Sequence, residues 1–284
     1  MRQLSGDRFG LGWRPALAAG ILAHLDRVDL VEVIAEDHFN ASRAGLRSLR
    51  TLAAQLPVML HGVSLGLAST VPVETSRLDR LARLVDAAQP ESWSEHLAFV
   101  RGGGIEIGHL AAPPRSAASA EGACRNLETA RRIVGSMPAV ENIATLIEPP
   151  ASTMGEAAWI GAVIGGSGAG LLLDLHNLYA NAVNFGLAPS PLLAALPLDR
   201  VSQVHLSGGH WIEAPGRERR LLDDHVHDPP PEIWALLEEL GRLASQPLTV
   251  ILERDGDYPA IDVLLGQLDT ARAALSAGRR KAAA

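Results

Sequence analysis

Leu171-Leu172-Leu173-Asp174-Leu175-His176-Asn177 decides how the rest of the chain is read. Three apolar residues run straight into a carboxylate, an imidazole and an amide. An unbroken apolar run suits a strand covered on both faces, as in a parallel sheet flanked by helices. Polar groups at the end of so buried a strand cost free energy unless something there binds them. From Leu178-Tyr179 onward a loop is expected. The same arrangement recurs along the chain. Val58-Met59-Leu60 ends in His61, Ser92-Trp93-Ser94-Glu95 leads to His96, and Ala139-Val140 ends in Glu141-Asn142. Val204 is followed by His205, and Val250-Ile251-Leu252 ends in Glu253. Successive members stand roughly 30–50 residues apart, the length of one strand–helix unit with its loops. These strand ends are expected to converge on one metal centre.

Working outward, Phe9 to Trp13 reads as the first strand, and Pro15 opens a helix through Leu17, Ile21, Leu22 and Leu25. Asp29 to Glu36 is the second strand, followed by a helix from Ala44 to Gln55, and Pro57 opens the third. Further helices are expected from Ser76, over Ala120–Met137, Glu156–Ile164, Pro189–Leu196, Glu232–Leu243 and Ala260–Ala277. Arg101-Gly102-Gly103-Gly104 reads as a tight turn. Gly165 to Gly170 reads as a connector, because phosphate loops follow a strand and open a helix, whereas this run precedes a strand. A long loop is expected from Ser207 past Pro231. Eight strands alternating with eight helices favour a closed (β/α)8 barrel over a doubly wound sheet. One barrel domain is expected over residues 1–284, with 278–284 as a disordered tail.

Composition agrees with an ordinary globular protein: 284 residues, 47% hydrophobic and 20% charged. The formal net charge of −7 argues against a nucleic-acid partner, which needs a clustered basic face. Cys124 is the only cysteine, which excludes an intrachain disulfide and a thiolate metal cage. It lies in a helical stretch and reads as a structural, half-buried thiol. No secretory pattern and no apolar run of membrane-spanning length is present, so a cytoplasmic protein is expected.

Histidine and carboxylate without thiolate suit iron, manganese or zinc bound through nitrogen and oxygen. The candidate ligands are His61, His96, Glu141, Asp174, His205, Asp223, His225 and Glu253. Eight ligands exceed the needs of one ion, so a carboxylate is expected to bridge two, and Glu141, on a middle strand, is the natural bridge. Glu141, Asp174 and His205 are read as the catalytic members. Asn177, Asn142 and His176 are candidates for an extra ligand or for support behind the ligands. His227 follows His225 at strand spacing and is expected to point away from the centre. His24 is assigned to a helix surface, and His109 and His210 to loops. Arg115, Arg217, Arg219 and Arg220 fall in rim loops as solvated charge or a grip on an acidic partner.

With these residues laid out, the chain resembles the MbnB-like family of multinuclear non-heme iron oxidative enzymes over nearly its whole length. The resemblance rests on Gly10-Leu-Gly-Trp-Arg-Pro15, Val31 to Phe39, His61-Gly-Val-Ser64, Ser94-Glu-His-Leu-Ala-Phe99 and Val140-Glu-Asn142. It continues in Leu172 to Asn177, Tyr179 to Asn184, His205-Leu-Ser-Gly208, Leu222-Asp-Asp-His225 and Leu252-Glu-Arg254. It implies a xylose isomerase-like TIM barrel related to the endonuclease IV group. It further implies two or three irons held by the eight residues above, and dioxygen as co-substrate. The implied substrate is cysteine in a ribosomally made peptide, and a separate partner protein is expected to present the peptide's leader. Asn177 stands where the wider endonuclease IV-like pattern has histidine, so a third ion would lean on Asp223 and His225.

Two other enzyme classes and one non-enzymatic role compete. A two- or three-metal zinc or manganese hydrolase, such as a phosphodiesterase or endonuclease IV-like enzyme, is permitted by the ligand set but opposed by the acidic charge. A sugar isomerase typically wants a lysine near its metals, and the only lysine here is Lys281. A metal-binding scaffold would be expected to have lost ligands.

Overall fold

The computed structural model describes residues 6–213 and 219–283. In chain order the first half contains β1 (Arg8–Gly12), α1 (Ala18–Ala23), β2 (Leu30–Ile34), α2 (Arg43–Ala53), β3 (Val58–Gly62), α3 (Thr75–Ala88) and β4 (Trp93–His96). Next come β5 (Phe99–Gly102), β6 (Ile105–Ala111), α4 (Ala117–Val134), β7 (Ala139–Glu141), α5 (Glu156–Ser167) and β8 (Gly170–Asp174). The remainder is α6 (Leu175–Asn184), α7 (Pro189–Ala194), β9 (Val201–Leu206), β10 (Gly209–Ile212), β11 (Arg220–Asp223), α8 (Pro231–Leu243), β12 (Thr249–Leu252) and α9 (Ile261–Ala283). Eight strands close into a barrel in the order β1-β12-β9-β8-β7-β4-β3-β2. The expected (β/α)8 architecture is therefore the observed one. Among the described residues no helix is long and apolar enough to cross a membrane.

The contacts divide the chain into two compact units. One comprises Leu30–Ile143 and Pro149–Leu171, the other Met1–Asp29, Ala144–Glu148 and Leu172–Ala284. In the first, Val31, Val33, Val58, Leu60 and Val140 are all buried on their strands, as parallel strands covered on both faces require. Helix α4 starts with a capping box between Ser116 and Ser119 and stops at Gly135, whose φ of 91° terminates it in the left-handed region. The Cys124 thiol lies 3.6 Å from the Val163 carbonyl, and burial pushes its pKa up. The thiol is half-buried, as expected.

Four expectations about the elements are corrected. Where a loop was expected after Asn177, helix α6 begins at once, capped by Asp174, whose Oδ1 accepts from the Asn177 amide at 2.7 Å. His, Asn and Tyr are indifferent helix formers, and burial rather than propensity holds α6 together. The tight turn expected at Gly103-Gly104 is present and joins a hairpin: Gly102 pairs with Ile105, and both intervening glycines have positive φ, as a two-residue hairpin turn demands. The long loop after Ser207 contains a second hairpin, in which Gly209 pairs with Asp223 and Ile212 with Arg220. Arg217 lies outside the described residues. Lastly, α5 continues through Gly165 and Gly166 to Ser167, and α9 runs through the expected disordered tail to Ala283. Gly278 and Gly241 explain the latter, and their role is taken up below.

Candidate metal centre

In the unit containing β2 to β7, strand register assembles the first group. His61 on β3 lies opposite Ser94 on β4, and His96 opposite Glu141 on β7. Partnered residues of parallel strands share a face, and so do residues two apart on one strand. His61, Ser94, His96 and Glu141 therefore face the same way, while Gly62 and Glu95 face the other. His61 Nε2 is 3.3 Å from Glu141 Oε2, and His96 Nε2 is 3.4 Å from the same oxygen. The two imidazoles stand edge to face, 4.6 Å between centroids. His61 Nδ1 lies 2.8 Å from Ser94 Oγ and His96 Nδ1 3.2 Å from the Gly62 carbonyl. A carbonyl can only accept, so His96 Nδ1 is the donor in that contact. Among the described residues these three could hold a metal ion, with His61 and Glu141 fully buried.

Two carboxylates that sequence reasoning did not nominate support this group. Glu95 is buried, and its oxygens accept from the Leu65 amide at 3.1 Å and the His96 amide at 3.0 Å. It can approach β3 because residue 62 is glycine; a Cβ there would sit 2.8 Å from Glu95 Oε2. Glu36, in the turn after β2, accepts at Oε1 from the Val63 and Ser64 amides at 3.0 and 2.8 Å. Its Oε2 is buried without a hydrogen bond. Burial raises the Glu36 pKa and the nearby Glu95 charge adds to the rise, outweighing those amides. The adjacency of Glu95 to His96 was the one available sequence signal for Glu95; none pointed to Glu36.

In the other unit, His205 on β9 lies opposite Ile251 on β12, so Glu253, two residues on, shares its face. The His205 Nδ1 to Glu253 Oε2 distance is 3.0 Å, and Asp174, His205 and Glu253 belong to a buried group able to hold a metal. Asp223 ends β11 and His225 lies two residues beyond it. His225 Nε2 is 3.0 Å from Asp223 Oδ2, and its Nδ1 is 3.1 Å from Asp255 Oδ2 and 3.5 Å from Glu253 Oε2. Burial opposes the charge on His225, but Glu253, Asp223 and Asp255 together raise its pKa well above the usual imidazole range. Burial likewise works against ionised Asp223, yet hydrogen bonds from His176 and His225 hold its carboxyl far below the ordinary value. Arg14, from the Gly-Trp-Arg-Pro segment, closes the cluster on Asp255 at 2.5 Å and lies 3.9 Å from Glu253.

The three supporting candidates fall in different places. His176 is fully buried on α6, its Nδ1 3.0 Å from Asp223 Oδ1, and Ser207 Oγ is 3.4 Å from the same oxygen. A Cβ at Gly209 would meet the His176 ring at 2.6 Å, so only glycine lets β10 cover it. Asn177 is buried on the same helix, and Asn142 is buried just past β7. His227 sits apart from His225 and joins His210 and Asp224 instead. Arg115 is buried against Glu156 at 3.2 Å, while Arg219 stacks on Trp211 at 4.8 Å and pairs with Glu213.

Comparison with known proteins adds the lineage. Solved structures that share the fold include an L-ribulose 3-epimerase, at 15% identity and TM-score 0.60 over 97% of both chains. Another is a xylose isomerase-like TIM barrel protein from Mycobacterium smegmatis in complex with magnesium, at 15% identity and TM-score 0.54, covering 92% of this chain and 90% of that one. At these identities the likeness shows the fold alone. By sequence, a UPF0276 protein of Caulobacter vibrioides is 35% identical over 276 residues, 96% of each chain. A UPF0276 protein of Rhizorhabdus wittichii is 33% identical over the full length of both. Residues 8–276 match the family model described as RiPP precursor modification enzyme MbnB/TglH/ChrH, and the chain belongs to that family of peptide-modifying enzymes.

Proposed function

We propose that this chain is a cytoplasmic, multinuclear non-heme iron oxidase that uses dioxygen to modify cysteine residues of a ribosomally made precursor peptide. Its proposed ligands for two or three irons are His61, His96 and Glu141 in one unit and Asp174, His205, Asp223, His225 and Glu253 in the other. Asn142, Asn177 and His176 stand behind them or add a donor. A separate protein is proposed to present the peptide's leader.

The observation that carries this reading is the His61–His96–Glu141 group: two imidazole nitrogens 3.3 and 3.4 Å from one oxygen of a buried carboxylate. Hydrogen bonding at Nδ1 fixes both rings in the way that ligating histidines are usually fixed. Imidazole nitrogen and carboxylate oxygen without thiolate is a donor set that iron accepts, as do manganese and zinc. Bound iron would supply one-electron exchange with dioxygen. The chain's own residues prepare for it. Ser94 and the Gly62 carbonyl orient the first pair of imidazoles, and His176 and Ser207 hold Asp223. Asp255 and Glu253 face the Nδ1 of His225 and orient its ring. Glu141, Asp174 and His205 are fully buried, which excludes water from the groups proposed to do chemistry.

Metal analysis of protein purified without added metal tests the proposal. Iron with visible absorption that changes on exposure to air is the expected result. Colourless, zinc-filled protein that turns over a phosphodiester would establish the hydrolase instead. Glu141→Gln and His205→Ala are each expected to abolish metal-dependent turnover while leaving the far-ultraviolet circular dichroism intact. Full iron occupancy and activity in either variant would refute the ligand assignment.

A further inference from the structure

Among the described residues, one cluster of metal-binding side chains lies outside the buried groups. His210 on β10, Asp224 just past β11 and His227 three residues later bring two imidazoles onto one carboxylate. His210 Nδ1 is 2.5 Å and His227 Nδ1 is 2.8 Å from the same oxygen, Asp224 Oδ2. The rings lie 5.3 Å apart, tilted by 42°. Both histidines are exposed, whereas Asp224 is largely covered. We propose that His210, Asp224 and His227 form a solvent-facing site for a divalent transition ion of the zinc class, separate from the buried ligands and serving as a staple between β10 and the segment after β11.

Three features make this a prepared site rather than a chance meeting of surface groups. The Asp224 carboxylate is oriented by the Val226 amide, which donates to Oδ1 at 3.0 Å, while His227 Nδ1 lies 3.0 Å from Oδ1 and 2.8 Å from Oδ2. Fixing a ligand through a second hydrogen bond is how metal sites usually set ligand direction. The backbones that carry the ligands are also locked together. A Cβ on Gly208 would lie 2.4 Å from the His227 and Asp228 carbonyls, and one on Gly209 would lie 2.0 Å from the Leu222 carbonyl. The His225 amide meanwhile donates to the Gly208 carbonyl at 3.1 Å. Strand β10 and the Asp224–His227 segment thus touch backbone to backbone, and little chain entropy remains to be lost on binding.

The donor chemistry suits such an ion. Tetrahedral zinc holds nitrogen and oxygen at about 2.0–2.2 Å, which spaces donors about 3.3 Å apart. The imidazole nitrogens, now 2.5 and 2.8 Å from the carboxylate oxygen, need to part from it by about 0.5–0.8 Å, which two exposed imidazoles can do. Three protein donors leave one position for water, so the ion would be readily exchanged. The site also abuts the proposed centre through the chain itself: Asp224 lies between Asp223 and His225, and an ion on Asp224 would restrict both.

Zinc counting on the full chain by native mass spectrometry tests this, comparing wild type with His210→Gln/His227→Gln, neither residue being among the proposed catalytic ligands. The expected result is one zinc fewer in the double variant, with unchanged circular dichroism, and the count is a difference that does not depend on what the buried ligands hold. Zinc is further expected to slow amide exchange at Val226 in wild type and not in the variant. Equal zinc counts in the two proteins would overturn the site. A lost zinc without any change in Val226 exchange would overturn the staple.

Discussion

At the scale of single residues, Glu36 carries an unusual burden. Its carboxyl is buried after β2, accepts two amides through Oε1 and leaves Oε2 without a hydrogen bond. Because its folded pKa is raised, mainly by burial, the unfolded chain ionises first as pH rises. Stability is then lost between the unfolded pKa and the folded one, and the loss is complete above the folded value. Glu36→Gln cannot ionise, so the difference in Tm between variant and wild type is expected to move in the variant's favour as pH rises from about 4.5. A difference that stays flat between pH 4 and 8 would show that Glu36 ionises freely. Asn126 illustrates the opposite case of a fully used buried amide. Its nitrogen donates to the Leu67, Ser69 and Val71 carbonyls at 3.0–3.1 Å, and its oxygen accepts from the Val73 amide at 2.9 Å. One side chain on α4 thereby shapes the loop that follows the His61 strand.

At the scale of elements, the pairing of α8 with α9 depends on two small residues. A Cβ at Gly241 would lie 2.6 Å from the Leu275 carbonyl, and one at Gly278 would lie 2.0 Å from the Glu238 carbonyl. The helices thus meet backbone to backbone, with Leu236, Leu237, Leu240, Leu268 and Leu275 buried around the crossing. Ordinarily glycine in a helix interior costs about 1 kcal/mol relative to alanine. Here the steric conflict outweighs that propensity, and Gly278→Ala is expected to destabilise by about 1–3 kcal/mol, as overpacking commonly does. Chemical denaturation measures it; a variant as stable as wild type would mean that α9 does not lie against α8 at this point. Arg279 adds a polar tie from the same turn, donating to Asp7 at 2.8 Å and to the Gln246 carbonyl at 2.6 Å.

At the scale of the whole molecule, fold and metal affinity should be separable. The barrel rests on buried Leu, Val and Ile, and the acidic and imidazole side chains pair with one another where an ion would otherwise hold them. Chelation is therefore expected to leave the circular dichroism unchanged and lower Tm. An ion at a hundredfold excess over its Kd stabilises by about 2.7 kcal/mol per site. For a chain of this size that corresponds to roughly 5–10 °C in a melting experiment. Loss of secondary structure on chelation would mean that the ions build the barrel rather than occupy it.

The sequence by itself determined the barrel and the polar residues at its strand ends, because both are written in local pattern. Apolar runs ending in His61, Glu141, His205 and Glu253 name strands and strand ends without any knowledge of contacts. Tertiary structure alone decided the rest. Asp174 reads as a strand-end acid yet also caps α6, since burial overrides the weak helix propensity of His176-Asn177-Leu178-Tyr179. The 278–284 tail looks solvent-bound, but the missing Cβ at Gly278 admits a neighbouring backbone that lies 40 residues away in sequence. Glu36 and Glu95 gave no periodic signal, because their roles come from the backbone amides of Val63, Ser64, Leu65 and His96. His227 does sit apart from the centre, as expected, but that it meets His210 and Asp224 there is a pairing only the tertiary structure supplies. Alternation predicts direction only where the chain is extended, and Cα position alone cannot say which carboxylate an imidazole will meet.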